Sequence, residues 1–375
     1  MSRSFLSGIR VLDLSQFLPG PFATQMLADM GADVVKVEPP KGDPMRALDP
    51  ITNDRGASPY HALVNAGKRV VTLDLKSDEG RATFTDMIAA ADVLMESYRP
   101  GVMARLGFGH AHLRDLNPGL VHCALSGYGQ NGPMRLTGGH DINYVAATGQ
   151  LGLTGPDTKP HMAYPMVADY AGAMQSVTAI LGALVGRGTT GQGAYLDVAM
   201  ADSVLAWQSQ ALTALKRGHP PARDADMLTG GAAFYGVYET ADGRFVSLGA
   251  IEAVFWANFC EAIDRPDLID RQDEPLPQTD LIADVAAVFK GRTREEWDNV
   301  LTDVDCCYHP VLEIDEVEHH PQNTARGLIA PQEGLETEGG TSVLLPFWTD
   351  GAAPVPRTPM AEVSAADVIG GWKKR

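Results

Sequence analysis

Short apolar runs alternate with amphipathic segments over the first 130 residues of the chain. The runs are rich in valine and leucine and end at proline, glycine or polar residues, as strands of a buried sheet do. Helical segments separate some of them, at 22–30 and 78–90. Strands linked by helices form βαβ units, so the pattern predicts an α/β fold with a mainly parallel, Rossmann-like sheet. The predicted strands are Ile9–Leu14, Asp33–Glu38, Arg69–Leu75, Val93–Glu96 and Leu120–Leu125.

The turn after the first predicted strand carries no dinucleotide fingerprint. Residues 15–21 read Ser-Gln-Phe-Leu-Pro-Gly-Pro, without the spaced glycines that let a backbone approach a pyrophosphate. We therefore expect a Rossmann-like sheet that does not bind a dinucleotide by that motif.

The middle of the chain changes character. Residues 170–187 are small and apolar, which predicts a tightly packed, buried helix, and the glycine-rich stretch 186–193 predicts a loop or hairpin. A strand at 194–198 and a helix from 200 to about 217 follow, and the polar, proline-containing stretch 218–223 is typical of a linker.

A second strand-rich region begins near Phe234. Two apolar runs, 235–239 and 244–248, flank an Asp-Gly pair, which predicts a hairpin. Helices at 252–263, 277–290 and 293–302 and a short strand at 310–312 complete the pattern. Since 375 residues exceed one ordinary core, we expect two domains.

Charge and cysteine content restrict the partners and the location. The net charge of −17 argues against binding nucleic acid or an anionic membrane, so an anionic ligand needs a local basic cluster. Four cysteines are too few for a disulfide framework. Met1–Phe5 lacks the apolar core of a signal peptide, and the longest apolar run, 177–186, is too short to span a bilayer. We expect a cytoplasmic protein.

Three side chains are candidates for acid–base chemistry. His140 lies in Gly-His-Asp-Ile-Asn-Tyr at 139–144, Asp169 in Met-Val-Ala-Asp-Tyr-Ala-Gly at 166–172, and Glu252 in Leu-Gly-Ala-Ile-Glu at 248–252. A lone histidine is more often structural, and Asp169 is equally typical of a helix N-cap. Glu252 is also typical of a solvated helix start. An imidazole and a carboxylate that flank one carbon, however, are what a proton-shuttling racemase needs.

Metal and hydrolase chemistry have little support. Cys306, Cys307 and His309, with His319–His320 further on, fit no tetrahedral ligand spacing, so we predict no metal site. Ser126 lacks the Gly-x-Ser-x-Gly context of a nucleophile elbow.

In this order the three candidate segments resemble the α-methylacyl-CoA racemases of the family III CoA-transferase (CaiB/BaiF) superfamily. The resemblance runs from Gly8 to about Leu328. It implies a large Rossmann-like, CoA-binding domain built from 1–217 and 320–375, a smaller α+β domain at 225–315, and an interlocked homodimer.

The resemblance also implies a reaction and its residues. A 2-methylacyl-CoA would be racemised through an enolate, with His140 on one face of the α-carbon and Asp169 on the other. The backbone N–H of Asp141 would stabilise the enolate oxygen, although capping is the expected role of the Asp141 side chain. Glu252 of the partner subunit would orient the histidine. Coenzyme A enters as part of the acyl-CoA substrate, and no cofactor bound for catalysis is implied.

The segments 96–107 and 73–76 also match the family. By resemblance, the residues on the CoA side are Arg99, Arg105, Lys76, Leu75, Glu96, Tyr98 and Lys36. Each cation, taken alone, is equally typical of a solvated surface. Pro39 stands where racemases often place an arginine, and Val37–Asp43 is more similar to transferases.

Two alternatives therefore stay open. One is a family III CoA-transferase, in which Asp169 attacks a thioester. The other is a catalytically idle acyl-CoA-binding paralogue.

Overall fold

The computed structural model describes residues 4–48, 58–335 and 339–373. The chain forms two compact units. The large unit comprises Met1–Thr148, Pro165–Ala206 and His320–Arg375, and the small unit comprises Gly149–Tyr164 and Trp207–His319. Among the described residues, no helix combines the length and apolar character needed to cross a membrane.

A parallel sheet forms the centre of the large unit. Its strands are β1 Arg10–Asp13, β2 Asp33–Glu38, β3 Arg69–Thr72, β4 Val93–Glu96, β5 Val121–Ser126, β6 Ala194–Ala199 and β12 Ala361–Glu362. They run in the order β12-β3-β2-β1-β4-β5-β6, and every adjacent pair is parallel. This confirms the predicted α/β fold class.

Helices cover the sheet and connect its strands. Those of the large unit are α1 Pro19–Asp29, α2 Pro59–Asn65, α3 Asp78–Ala90, α4 Val102–Arg105, α5 His110–Leu116, α6 Asp141–Ala147, α7 Val167–Thr190, α8 Met200–Leu205, α13 Pro321–Arg326 and α14 Ala365–Lys373. Local chemistry sets their starts: Ser77 Oγ, for example, accepts the N–H of Gly80 at 3.0 Å and caps α3. A small antiparallel pair, β10 Ile329–Pro331 and β11 Thr341–Val343, completes the unit.

Successive strands are added first on one side of β1 and then on the other, so the strand order has a switch point between β1 and β4. From β1 the chain builds outward to β2 and β3, and then returns to add β4, β5 and β6 on the other side. Open α/β sheets bind ligands in the crevice at the strand carboxyl ends beside such a switch point.

Helix α7 differs from the sequence prediction. It continues to Thr190, so the predicted loop at 186–193 was wrong for residues 186–190, and Gly191 at φ 69° ends the helix. The helix was also predicted to be buried, yet Met174 and Val185 are 56% and 77% exposed. Small or apolar residues lie on its buried face and on its exposed face alike, so the sequence could not show which face packs on the sheet.

The small unit is built on a three-stranded antiparallel sheet. Its strands are β7 Tyr235–Glu239, β8 Phe245–Gly249 and β9 Tyr308–Pro310. Its helices are α9 Ser209–Lys216, α10 Ala253–Ala262, α11 Thr279–Phe289 and α12 Arg294–Leu301. The core holds the buried aromatic residues Trp256, Phe259, Phe289 and Trp297. The predicted hairpin is present, whereas the predicted helix at 200–217 is divided at Ala206–Gln208, where the chain leaves the large unit.

Candidate active site

Two helix starts meet in the large unit. His140 directly precedes α6 and is exposed, and Asp169 lies in the first turn of α7. The Asp141 carboxylate accepts backbone hydrogen bonds from Ala168 at 2.5 Å and from Asp169 at 3.2 Å. One side chain of α6 therefore caps α7 and brings His140 and Asp169 into one neighbourhood.

The surroundings of Asp169 change its acidity. Burial, and then the negative charge of Asp141, raise the pKa of Asp169 to about 6, while the neighbouring His140 lowers it. A carboxyl group with this pKa exists in both protonation states near neutral pH, which suits a group that both removes and returns a proton.

A tight turn leads into His140. The hydroxyl of Tyr144 donates to the carbonyl of Gly139 at 2.6 Å, and the backbone N–H of His140 donates to Asn143 Oδ1 at 3.0 Å. The Tyr128 ring meets the Tyr144 ring edge-on, with 5.1 Å between centroids. Sequence reasoning gave Tyr144 no role, although it lies within the motif that drew attention to His140.

A cavity of about 230 Å³ lies in the crevice at the strand carboxyl ends. The loop after β1 is tied to the loop after β4, because the backbone N–H of Gln16 donates to Ser97 Oγ at 2.9 Å. The walls are mostly apolar, and they include three of the predicted CoA-side residues. The lining residues are Gln16, Val37, Glu38, Pro39, Leu73, Asp74, Leu75, Lys76, Tyr98, Val102 and Leu106.

The predicted cations lie at different points around this crevice. Lys76 lines the cavity, whereas Arg105 is exposed beside Gly101, with Nη1 3.3 Å from where a Cβ on that glycine would lie. Exposed Arg99 directly follows Tyr98, and its Nη2 lies 3.2 Å from the position of a Cβ on Gly138. Arg99 thus reaches from the cavity wall to the turn that carries His140.

Two other predicted residues are buried within the fold. The Lys36 ammonium lies 2.9 Å from Asp43 and donates to the carbonyl of Ser15 at 2.8 Å. The Glu96 carboxylate accepts the N–H of Tyr98 at 2.7 Å, and burial raises its pKa to about 7 against that hydrogen bond. Both side chains hold the loops that form the crevice.

Glu252 belongs to the small unit. It is exposed and directly precedes α10, near the Cys307 thiol, whose pKa is raised by burial and then by the Glu252 charge. The large unit thus groups His140, Asp141 and Asp169, and the fourth predicted catalytic residue lies in the other unit. Across the described residues, no cluster of three His, Cys, Asp or Glu side chains could hold a metal ion.

Residues 6–360 match the profile of CoA-transferase family III. The chain belongs to this family.

The relatives of this chain include proteins named as racemases and proteins named as CoA-transferases. Human α-methylacyl-CoA racemase is 35% identical over 91% of this chain and 86% of its own length. The acetyl-CoA:oxalate CoA-transferase of Acetobacter aceti is 34% identical over 88% of this chain and 87% of its own. A CaiB/BaiF family protein from Brucella suis has a similar solved structure, with a TM-score of 0.84, 25% identity, and coverage of 99% of this chain and 100% of that one.

Proposed function

We propose that this family III protein racemises 2-methylacyl-CoA thioesters, or close 2-substituted analogues. One observation carries the proposal: the Asp141 carboxylate joins the starts of α6 and α7, so that an imidazole and a carboxyl group with a pKa of about 6 share one site. The 35% identity to human α-methylacyl-CoA racemase over most of both chains supports it.

The proposed reaction is a two-step proton transfer. One of His140 and Asp169 takes the α-proton, and the electrons of the C–H bond move onto the thioester oxygen to give an enolate. The other group then delivers a proton to the opposite face, and the electrons return to the α-carbon. We propose the backbone N–H of Asp141 as a hydrogen-bond donor to the enolate oxygen.

Coenzyme A is proposed to lie along the crevice of the large unit. The apolar walls around Leu75 and Tyr98 suit the adenine ring, and Lys76 at the cavity with Arg105 nearby supplies positive charge for phosphates. Arg99 lies beside Gly138, between this cavity and His140, so it suits the part of the substrate that leads to the thioester. Lys36 and Glu96 act on the loops instead.

We further propose a homodimer in which Glu252 of the partner subunit orients His140. Support comes from the uncovered face of α7. Met174 and Val185 are exposed there, and a Cβ added at Gly182 or Gly186 would meet no atom within 4 Å. An apolar face with small residues permits the close approach of a second copy.

A second candidate function is CoA transfer. The acetyl-CoA:oxalate CoA-transferase of Acetobacter aceti is 34% identical, and Asp169 could act there as the nucleophile that accepts the acyl group. His140 beside Asp169 favours the racemase, because acyl transfer to a carboxylate needs no second acid–base group on the opposite face.

Deuterium exchange separates the two reactions. When an (R)-2-methylacyl-CoA is incubated with the protein in deuterated water, deuterium should enter the α-position as the (S) epimer appears. The measurement is NMR of the α-carbon together with chiral analysis. If no deuterium enters and CoA instead passes to an added carboxylic acid, the protein is a transferase.

The charge of Asp141 gives a prediction on pH dependence. Asp141→Asn keeps an oxygen for the N–H groups of α7 but removes the negative charge that raises the pKa of Asp169. Asp169 works as a base only when ionised, so activity falls as the pH drops through its pKa. The acidic limb of kcat/KM, in the direction that uses Asp169 as the base, should therefore move to lower pH. Asp115→Asn, an exposed change on α5, should leave the profile in place. If the acidic limb of kcat/KM stays at the same pH in Asp141→Asn, the Asp141 charge does not act on Asp169.

A further inference from the structure

Both ends of one peptide group are held immediately before His140. Its carbonyl, from Gly139, accepts the Tyr144 hydroxyl at 2.6 Å, and its N–H, from His140, donates to Asn143 Oδ1 at 3.0 Å. A peptide group is planar, so fixing its oxygen and its hydrogen fixes its orientation. The direction in which the chain enters His140 is therefore set by two side chains of α6.

The Tyr144 ring has little freedom to move. The side chain is buried, at 5% exposure, and a Cβ added at Gly127 or Gly139 would lie 2.5 or 2.9 Å from its Cε1 atom. Two glycines thus leave room for the Cε1 edge of the ring, and the Tyr128 ring meets the Tyr144 ring edge-on. Close packing of this kind keeps the Tyr144 hydroxyl in one position.

The hydroxyl stays a donor under working conditions. Burial, and then the nearby Asp169 carboxylate, raise the pKa of Tyr144 to about 12. The phenol is therefore protonated at neutral pH, and its hydrogen is directed to the Gly139 carbonyl rather than to solvent.

We propose that Tyr144 is a positioning residue, whose hydrogen bond to Gly139 sets the location of the His140 imidazole relative to the α-carbon of the substrate. This inference rests on the proposed racemase function. It concerns the histidine branch of the proton transfer, since Tyr144 holds the peptide group before His140, whereas the Asp141 carboxylate holds the start of α7 that carries Asp169.

The test removes one oxygen atom. Tyr144→Phe keeps the ring and loses the hydrogen bond. A matched control exists in the small unit, where the hydroxyl of Tyr238, 4% exposed, donates to the carbonyl of Ala233 at 2.5 Å. Tyr238→Phe therefore removes an equivalent bond in the other unit. Deuterium uptake is measured separately from each epimer of a 2-methylacyl-CoA, together with KM and thermal unfolding.

Exchange from the epimer whose proton His140 removes should fall about 10- to 100-fold in Tyr144→Phe, because a displacement of about 1 Å can cost about 10² in rate. Exchange from the other epimer, and KM, should change little, and Tyr238→Phe should exchange both epimers normally. Gly127→Ala, whose added Cβ would lie 2.6 Å from the Tyr144 hydroxyl oxygen, should slow exchange from the same epimer.

Equal losses from both epimers in folded Tyr144→Phe would overturn the positioning role, and so would undiminished exchange. If the wild-type protein itself exchanges neither epimer, the proposed function fails and this inference fails with it. Wild-type exchange combined with an unaffected Tyr144→Phe variant refutes the inference alone.

Discussion

Replacing His140 with alanine should slow racemisation about 10²- to 10⁴-fold, the usual cost of losing one positioned acid–base group. The loss should be unequal between epimers. Exchange of the α-proton should nearly disappear from the epimer that His140 deprotonates, while Asp169 still exchanges the proton of the other. The measurement is the initial rate of deuterium uptake from each pure epimer.

The control for this variant is His112→Ala. His112 lies exposed on α5, outside the group formed by His140, Asp141 and Asp169, and its loss should leave both exchange rates unchanged. Normal exchange of both epimers by folded His140→Ala would mean that the histidine is structural.

The second large effect is recovery of activity from two inactive proteins. If Glu252 serves the His140 of the partner subunit, a dimer that pairs Glu252→Gln with His140→Ala has one site with both changes and one site with neither. Co-expression should restore up to roughly half of the wild-type activity per mixed dimer, provided that the sites act independently. The measurement is specific activity of heterodimers purified through two different tags.

Interlocked chains should exchange slowly, so mixing the two purified variants without refolding should restore little. The sample mixed after purification is the internal control for the co-expressed sample. Verified heterodimers without activity would show that Glu252 acts within its own chain or does not serve the histidine.

The sequence predicted the sheet well because its signals are local. The strand β2, Asp33–Glu38, was predicted residue for residue, since an apolar run is followed at once by Pro39 and Pro40. The α3 helix, Asp78–Ala90, was also predicted with the bounds that the structure shows.

The contacts around the site could not be predicted in the same way. Capping was expected of the Asp141 side chain, but its partner Ala168 is 27 residues away, so local sequence gave no reason to look at α7. Lys36 illustrates the same limit. The family resemblance made Lys36 a candidate on the CoA side, whereas in the structure its ammonium pairs with the buried Asp43, brought near by the turn after β2. Such contacts join residues that are apart in the sequence, and the hydrophobic periodicity of each segment does not show which of them will pair.

The path of the chain between His140 and Asp169 has a consequence for how this protein can diversify. After α6 the backbone leaves the large unit, contributes Gly149–Tyr164 to the small unit, and returns just before α7. The two proposed proton-transfer residues thus flank an excursion, and the Asp141 carboxylate spans its base. Because the Asp141 carboxylate holds the two helix starts directly, we expect the relative position of His140 and Asp169 to tolerate changes in the length or sequence of 149–164. The segment Gly149–Tyr164 is therefore where we expect the small unit to accept sequence changes, natural or engineered, without loss of the proposed proton transfer in the large unit.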